Sequence, residues 1–284
     1  MKSFSEYYKQ KYGFRVFKLG LSTGIDCPKA SDPCYFCVKN TFVDENIANE
    51  KNITNQINYL IAKLKKKIKA GGYIAYFQDN TSSFGDIEYL EKIFTEASEH
   101  PEILELIIST RPDYLFPDFL DMLKNITKPI TIELGIQTVN DKSLSYLNRG
   151  HTQDDNQKAI DLIKLYDYRV GIHIILGIPR EDNSDIAKTS DWININTHIK
   201  DVKIHHLAVF KDSKLAKIVK KDEILSLENY VILLDDFLYN LRNDIVVSRL
   251  FTSNLNRHEK MLNDFSGTKR EWINKFIKFS KKKT

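Results

Sequence analysis

Cysteine is scarce in this chain: 284 residues contain three, and all fall in one short segment as Cys27, Cys34 and Cys37. An odd count excludes a fully paired disulfide framework. The missing fourth thiol excludes an all-cysteine zinc site and an ordinary four-cysteine iron-sulfur cluster. No apolar run approaches the roughly 20 residues needed to cross a bilayer as a helix. The opening Met1-Lys2-Ser3-Phe4-Ser5-Glu6-Tyr7-Tyr8 has no apolar stretch either, so no secretory signal and a cytoplasmic, reducing location are expected. Strong charge of one sign is absent, the net value being +4. The lysines bunch in Lys63 to Lys69, Lys211 to Lys221 and Lys281 to Lys283, which read first as solvated helix faces and a tail, and second as a nucleic-acid footprint. No low-complexity stretch or Pro/Gly-rich hinge divides the chain, so a single main domain is expected.

What is present starts with the cysteine segment itself, Cys27-Pro28-Lys29-Ala30-Ser31-Asp32-Pro33-Cys34-Tyr35-Phe36-Cys37. Three clustered thiols with none to spare describe a metal centre with one coordination position left open to chemistry. Two other readings fit the same residues. The thiols can be buried or redox-active side chains, or ligands of a zinc completed by one of seven histidines.

Downstream the pattern alternates strand with helix. Short apolar runs rich in β-branched and aromatic residues predict strands at Arg15 to Leu21, Tyr73 to Phe77, Leu104 to Ser109, Ile130 to Gly135, Val170 to Leu176 and Val202 to Val209. Helical periodicity predicts helices at Thr54 to Lys69, Ile87 to Glu99, Tyr114 to Asn125, Asp155 to Tyr168, Asp185 to Thr197 and Leu227 to Arg242. Such alternation builds an α/β fold with a parallel sheet, here a partial (β/α)6 TIM-like barrel. The expected organisation is a polar leader over residues 1–12, the barrel over 13–217 and a C-terminal helical and strand extension over 218–284. Within that extension, Ile245 to Leu250 is a further candidate strand and Lys269 to Lys278 a closing helix. The cysteine loop follows the first strand, at the end where barrel enzymes place their chemistry.

Several predicted strands end in polar groups: Gln78-Asp79-Asn80-Thr81 after the second, Thr110-Arg111-Pro112-Asp113 after the third, and Glu133 to Thr138 across the end of the fourth. The fifth carries His173 and the sixth Lys203-Ile204-His205-His206-Leu207. Singly, these are helix caps, turn residues or hydrogen-bonded core histidines. Recurrence on successive strands points instead to a polar mouth. Adjacent His205 and His206 point to opposite faces of a strand, so at most one faces the barrel interior.

Taken in order, Cys27-Cys34-Cys37, Tyr73 to Gln78, Thr110 to Asp113, Glu133 to Thr138, Asn148-Arg149-Gly150-His151, Gly177-Ile178-Pro179 and Lys203 to Leu207 resemble the motifs of the radical S-adenosylmethionine superfamily. The similarity runs over about residues 13–217, to the branch that includes the elongator catalytic subunit and oxygen-independent coproporphyrinogen oxidase. It implies a 4Fe-4S cluster on the three cysteines and S-adenosylmethionine (SAM) chelating the open iron, with reductive cleavage giving a 5′-deoxyadenosyl radical. By motif correspondence Phe36, Gln78, Thr81, Glu133, Gln137, Arg149 and Leu207 are expected to bind that cofactor. An external electron donor such as a flavodoxin or ferredoxin is expected too.

Two features depart from the pattern. Six residues rather than three separate the first two cysteines, and Arg180 follows Gly177-Ile178-Pro179 where relatives usually have glycine. Both lie on the expected active-site side, so a substrate unlike the typical relative's is anticipated. The absence of a recognisable macromolecule-binding appendage points to a small molecule and no membrane partner. The specific expectation is queuine, cleaved between its cyclopentenediol and aminomethyl nitrogen to release 7-aminomethyl-7-deazaguanine, with Tyr76, Phe77, Asp79, Arg111, His173, His205 and Arg249 as candidate substrate contacts. Alternatives are a radical enzyme that modifies tRNA or protein, an iron-sulfur electron carrier and a zinc-binding regulatory protein.

Overall fold

Alternating apolar residues set the architecture. Along each central strand one set of side chains is fully buried under helices, as with Leu106 and Ile108 or Val202 and Ile204, while the intervening set faces inward and carries the polar groups. The computed structural model describes residues 2–38, 44–48, 50–252 and 261–281. Lys282 and Lys283 of the expected basic tail lie outside the described residues.

The elements run β1 (Lys2–Ser3), α1 (Phe4–Tyr12), β2 (Val16–Leu21), α2 (Glu45–Ala48), α3 (Ile53–Lys65), β3 (Gly72–Phe77), α4 (Ile87–Glu99), β4 (Ile103–Thr110), α5 (Pro117–Leu123) and β5 (Ile130–Gln137). They continue with α6 (Asp141–Tyr146), α7 (Gln153–Leu165), β6 (Arg169–Leu176), α8 (Asn183–Ile195), β7 (Ile199–His206), α9 (Leu227–Asn240), β8 (Val246–Arg249) and α10 (Lys269–Ser280). All strand pairs are parallel, in the order β1-β8-β7-β6-β5-β4-β3-β2. This is a partial TIM-like barrel. The sheet curls far enough for strands that are not neighbours to meet across its concave face. Lys18 of β2 reaches Glu133 of β5 at 2.8 Å, and the Lys203 ammonium of β7 bonds the Tyr76 hydroxyl of β3.

Six barrel strands, β2 to β7, were expected, with Ile245 to Leu250 as a further candidate that forms β8; the short β1 brings the sheet to eight. Residues 2–12, read as a leader, form β1 and α1. The helix has a Ser3–Glu6 capping box and packs Tyr8 against Val16, Ile74, Tyr76 and Ile107 at the N-terminal end of the barrel. Tyr8, Lys11 and Tyr12 all bond Glu105 there. The fifth predicted strand boundary held closely, whereas β7 begins three residues earlier than expected and releases Leu207–Val209 as the chain leaves the sheet. Helix α5 is shorter than expected because Pro117 opens it and a 3-10 turn occupies Pro112–Tyr114.

Candidate active site

The loop after β2 crosses the C-terminal end of the sheet. Its own turns shape it: the Ala30 amide donates to Cys27 O at 2.8 Å, and the Cys37 amide to Cys34 O at 2.9 Å. Distant backbone pins it, since the Tyr35 amide donates to Leu147 O at 2.9 Å and the Leu215 amide to Tyr35 O at 2.7 Å. Asn148, at a left-handed φ of 53°, adds bonds from Nδ2 to Asp32 Oδ2 (2.9 Å) and Pro33 O (3.2 Å).

The three thiols sit in different surroundings. Cys27 Sγ lies 3.7 Å from Thr81 Oγ1. Cys34 is buried and receives N–H groups from two guanidiniums, Arg149 Nη1 at 3.3 Å and Arg111 Nη1 at 3.9 Å. Cys37 keeps an edge open to solvent, but its thiol is pushed up to about 11 by burial, then by the neighbouring Cys34 and Cys27. The arginines are themselves fixed. Arg149 Nη2 donates to Gly135 O at 2.8 Å, and Arg111 Nη2 to Asp113 at 2.7 Å and to Arg149 O at 2.5 Å. Their Nε atoms are buried without a hydrogen-bond partner among the described residues. Thiols that feel one another, faced by cations with donors to spare, suit a thiolate-rich iron-sulfur cluster. Among the described residues no three His, Cys, Asp or Glu side chains come close enough to share one ion. A cluster does not require that convergence, because each thiolate takes its own iron.

Beside this loop the inward-facing residues form a charged row. Strand register pairs Glu133 with Gly171, His173 with Lys203 and Lys203 with Arg249. Glu133 is buried and accepts from Lys18 at 2.8 Å and Ser109 at 3.3 Å; its Oε2 is 2.7 Å from His173 Nε2 and 3.8 Å from Lys203. Gly171 gives it room, since a Cβ there would lie 2.9 Å from Glu133 Cγ. Burial alone would raise the Glu133 carboxyl, but Lys18, Lys203 and His173 together hold it well below the ordinary carboxylate range. His173 is lowered to about 4, by burial first and then by Lys203. Lys203 and His205 are also lowered well below their ordinary values, by burial and then by Arg249.

Above this row opens a cavity of about 210 Å³. Phe36 of the cysteine loop, Gln78, Gln137, Leu207, His173, His205 and Arg249 line it, so the fold brings together four residues expected at the cofactor and three expected at the substrate. Gln137 is held at φ 72°, next to an irregularity in the β5–β6 register. Lys203, Ile175, Phe210 and Thr252 complete much of the wall and were not singled out as site residues. Lys203 was detectable: it stands two residues before His205, on the same face of the strand. Phe210 and Thr252 lie beyond strand ends, where no periodicity marks them.

Other expected contacts lie elsewhere. Phe77 is a correction: it points outward and packs edge-on against Phe94 of α4, because alternation gives the inward position to Tyr76. Asp79 bonds the Ser22 hydroxyl and the Thr23 amide outside the cavity wall, and burial pushes its carboxyl up to about 6. Arg111 and Arg149 address Cys34, Thr81 addresses Cys27, and Glu133 and Tyr76 lie beneath the cavity. The His206 ring faces outward among Tyr230, Phe251, Phe265 and Trp272, as the two-faced reading of the pair requires, while the residue also borders the cavity. Arg180 is also off the cavity wall; it adopts a left-handed φ of 74°, the conformation that favours glycine, and lays its guanidinium over Tyr146 at 4.9 Å.

Comparison with known proteins follows the same lines. The family model for the radical SAM superfamily matches residues 21–193, and that for the Radical_SAM C-terminal domain matches residues 199–276. The chain is 29% identical over 254 residues to protein YhcC of Escherichia coli K12, covering 86% of this chain and 81% of that one. It is 31% identical over 256 residues to an uncharacterized protein of Methanocaldococcus jannaschii, covering 86% and 78%. Among solved structures, archaeal Elp3 of Methanocaldococcus infernus, lacking residues 1–46, superposes with a TM-score of 0.74 at 18% identity. That match covers 94% of this chain and 63% of the Elp3 chain.

Proposed function

The chain belongs to the radical SAM superfamily, and from that premise we propose that it acts on a small molecule held in the cavity beside the cysteine loop, with queuine as substrate and 7-aminomethyl-7-deazaguanine as product. The family's cofactors are a 4Fe-4S cluster and SAM. Cys27, Cys34 and Cys37 would hold the cluster. When bound, the two cofactors supply reductive cleavage of the sulfonium and removal of a hydrogen atom from the substrate. Arg111 and Arg149 offset the charge of the thiolates. Phe36, Gln78, Gln137 and Leu207 border both the loop and the cavity, where they can bind and orient SAM.

The observation that carries the reading is the cavity's combination of size, apolar faces and aligned polar groups. The cavity, of about 210 Å³, is concave and lined by apolar side chains with a few polar groups among them, as small-molecule sites are. Phe210 offers aromatic surface to a planar base. Arg249 and Lys203 supply donors for a ring carbonyl, and the Thr252 hydroxyl supplies an acceptor for a ring amino group. These contacts replace the carboxylate of Asp79, which is turned away.

The test is anaerobic incubation of reconstituted protein with SAM, reductant and queuine, followed by mass spectrometry. Release of the aminomethyl base together with 5′-deoxyadenosine is expected. Turnover stimulated by bulk tRNA and not by queuine would replace this reading with the tRNA-modifying one.

A further inference from the structure

We infer that His173 is the general base of this reaction and that Glu133 is the residue that positions it. The inference rests on the queuine reading above and assigns the proton transfer within it.

The geometry is that of a carboxylate-held imidazole at a cavity wall. His173 lines the cavity, and its Nε2 stands 2.7 Å from Glu133 Oε2. Glu133 is itself immobilised by Lys18 and Ser109. A carboxylate that fixes one ring nitrogen as the N–H donor leaves the other as the basic nitrogen. For His173 the basic atom is therefore Nδ1. The charged and titratable groups that face the ring are Lys18, Glu133, Lys203 and His205, with Arg249 on the same cavity wall. Burial, then Lys203 and Lys18, keep the ring neutral at neutral pH, so Nδ1 has a free lone pair, while the Glu133 carboxylate favours the imidazolium once a proton arrives. His205 lacks this arrangement: its Nδ1 meets only Thr252 Oγ1, at 3.4 Å, and its Nε2 is buried without a partner among the described residues.

Queuine gives such a base a task. In its cyclopentenediol a hydroxyl is borne by the carbon next to the C–N bond. Once that carbon has lost its hydrogen atom, the hydroxyl proton passes to His173 Nδ1 and the C–O bond becomes a carbonyl. The adjacent C–N bond breaks, its electron pair leaving on the nitrogen, so that a protonated secondary amine departs as the neutral aminomethyl base. The unpaired electron stays on the carbon that held nitrogen. One electron from the external one-electron donor and one proton from solvent complete the ring product.

The test compares wild type, His173→Gln and Glu133→Gln as anaerobically reconstituted holoenzyme with queuine. In the wild type about one base is released per 5′-deoxyadenosine. In His173→Gln the release rate falls about a hundredfold or more, the usual worth of general-base catalysis, and base released per deoxyadenosine falls about tenfold. SAM affinity, measured by titration, stays within about threefold and shows that the variant is folded. Glu133→Gln lowers kcat for release while KM for queuine holds, the split expected of a positioning residue. Unchanged release and coupling in folded His173→Gln overturn the assignment. A wild type that neither releases base nor forms deoxyadenosine with queuine fails at the earlier step, and the inference falls with the queuine reading.

Discussion

Arg149 points its Nη1 at Cys34 Sγ from 3.3 Å, and the same guanidinium is anchored through Nη2 to Gly135 O at 2.8 Å. The backbone at the end of β5 thus fixes a cation against the buried thiol of the cysteine loop. Arg111 approaches the same sulfur and is held by Asp113 and by Arg149 O. Arg149, expected among the cofactor-binding residues, thus meets the Cys34 thiol of the same loop.

Replacing Arg149 by alanine is expected to lower the cluster's reduction potential. Hydrogen bonds and positive charge at a cluster sulfur stabilise the reduced, more negative state. Arg149→Lys keeps the charge but not the fork and should fall between the two. Potentiometric titration followed by electron paramagnetic resonance checks this; equal potentials in all three proteins count against it.

Each of Cys27→Ala, Cys34→Ala and Cys37→Ala is expected to prevent stable cluster assembly and to abolish SAM cleavage, since the chain has no other thiol. Iron and sulfide analysis after anaerobic reconstitution measures it. One zinc and no iron in the wild type would restore the zinc reading.

Gln137→Ala is expected to weaken SAM binding roughly ten- to a hundredfold, the effect of losing a hydrogen bond to a charged group worth about 1.5 to 3 kcal/mol. Gln137 lines the cavity in a strained left-handed backbone conformation, a state that persists at sites the surrounding fold over-determines. Titration with SAM gives the answer, and unchanged affinity moves Gln137 out of the cofactor site.

Acid should erode the stabilising contribution of His173. Its folded-state pKa is about 4 against an ordinary 6.5, so its contribution is present above pH 6.5 and is lost as pH falls from 6.5 toward 4. Between pH 7 and pH 5 that loss is about 2 kcal/mol. Asp79 works the other way, because its carboxyl is raised to about 6 and favours folding more as pH falls. Urea unfolding of wild type and His173→Gln at the two pH values isolates the histidine part: the gap between them should narrow by about 2 kcal/mol at pH 5.

Phe77→Ala is expected to cost about 3 to 5 kcal/mol of stability, as for a fully buried aromatic side chain, with KM for substrate unchanged. Phe36→Ala should do the reverse, raising KM for SAM with little loss of stability, because Phe36 is half-buried at the cavity wall. Denaturant unfolding beside steady-state kinetics separates the two.

Period-two alternation on successive strands determined the parallel sheet, the helical coat and the inward face that holds Glu133, His173 and Lys203. Clustering of three cysteines in one loop after β2 determined where a metal centre would sit. These are properties of local spacing, and local spacing survives in a sequence. The same spacing could not say that Phe77 serves the core while Tyr76 faces inward, since both are aromatic and adjacent and only packing against Phe94 separates them. Nor could it say that Arg111 and Arg149 converge on Cys34, or that Lys18 and Glu133, 115 residues apart, form a pair. Those contacts exist because the sheet curls and brings distant strands face to face across its concave side, a distance that only the closed tertiary structure sets.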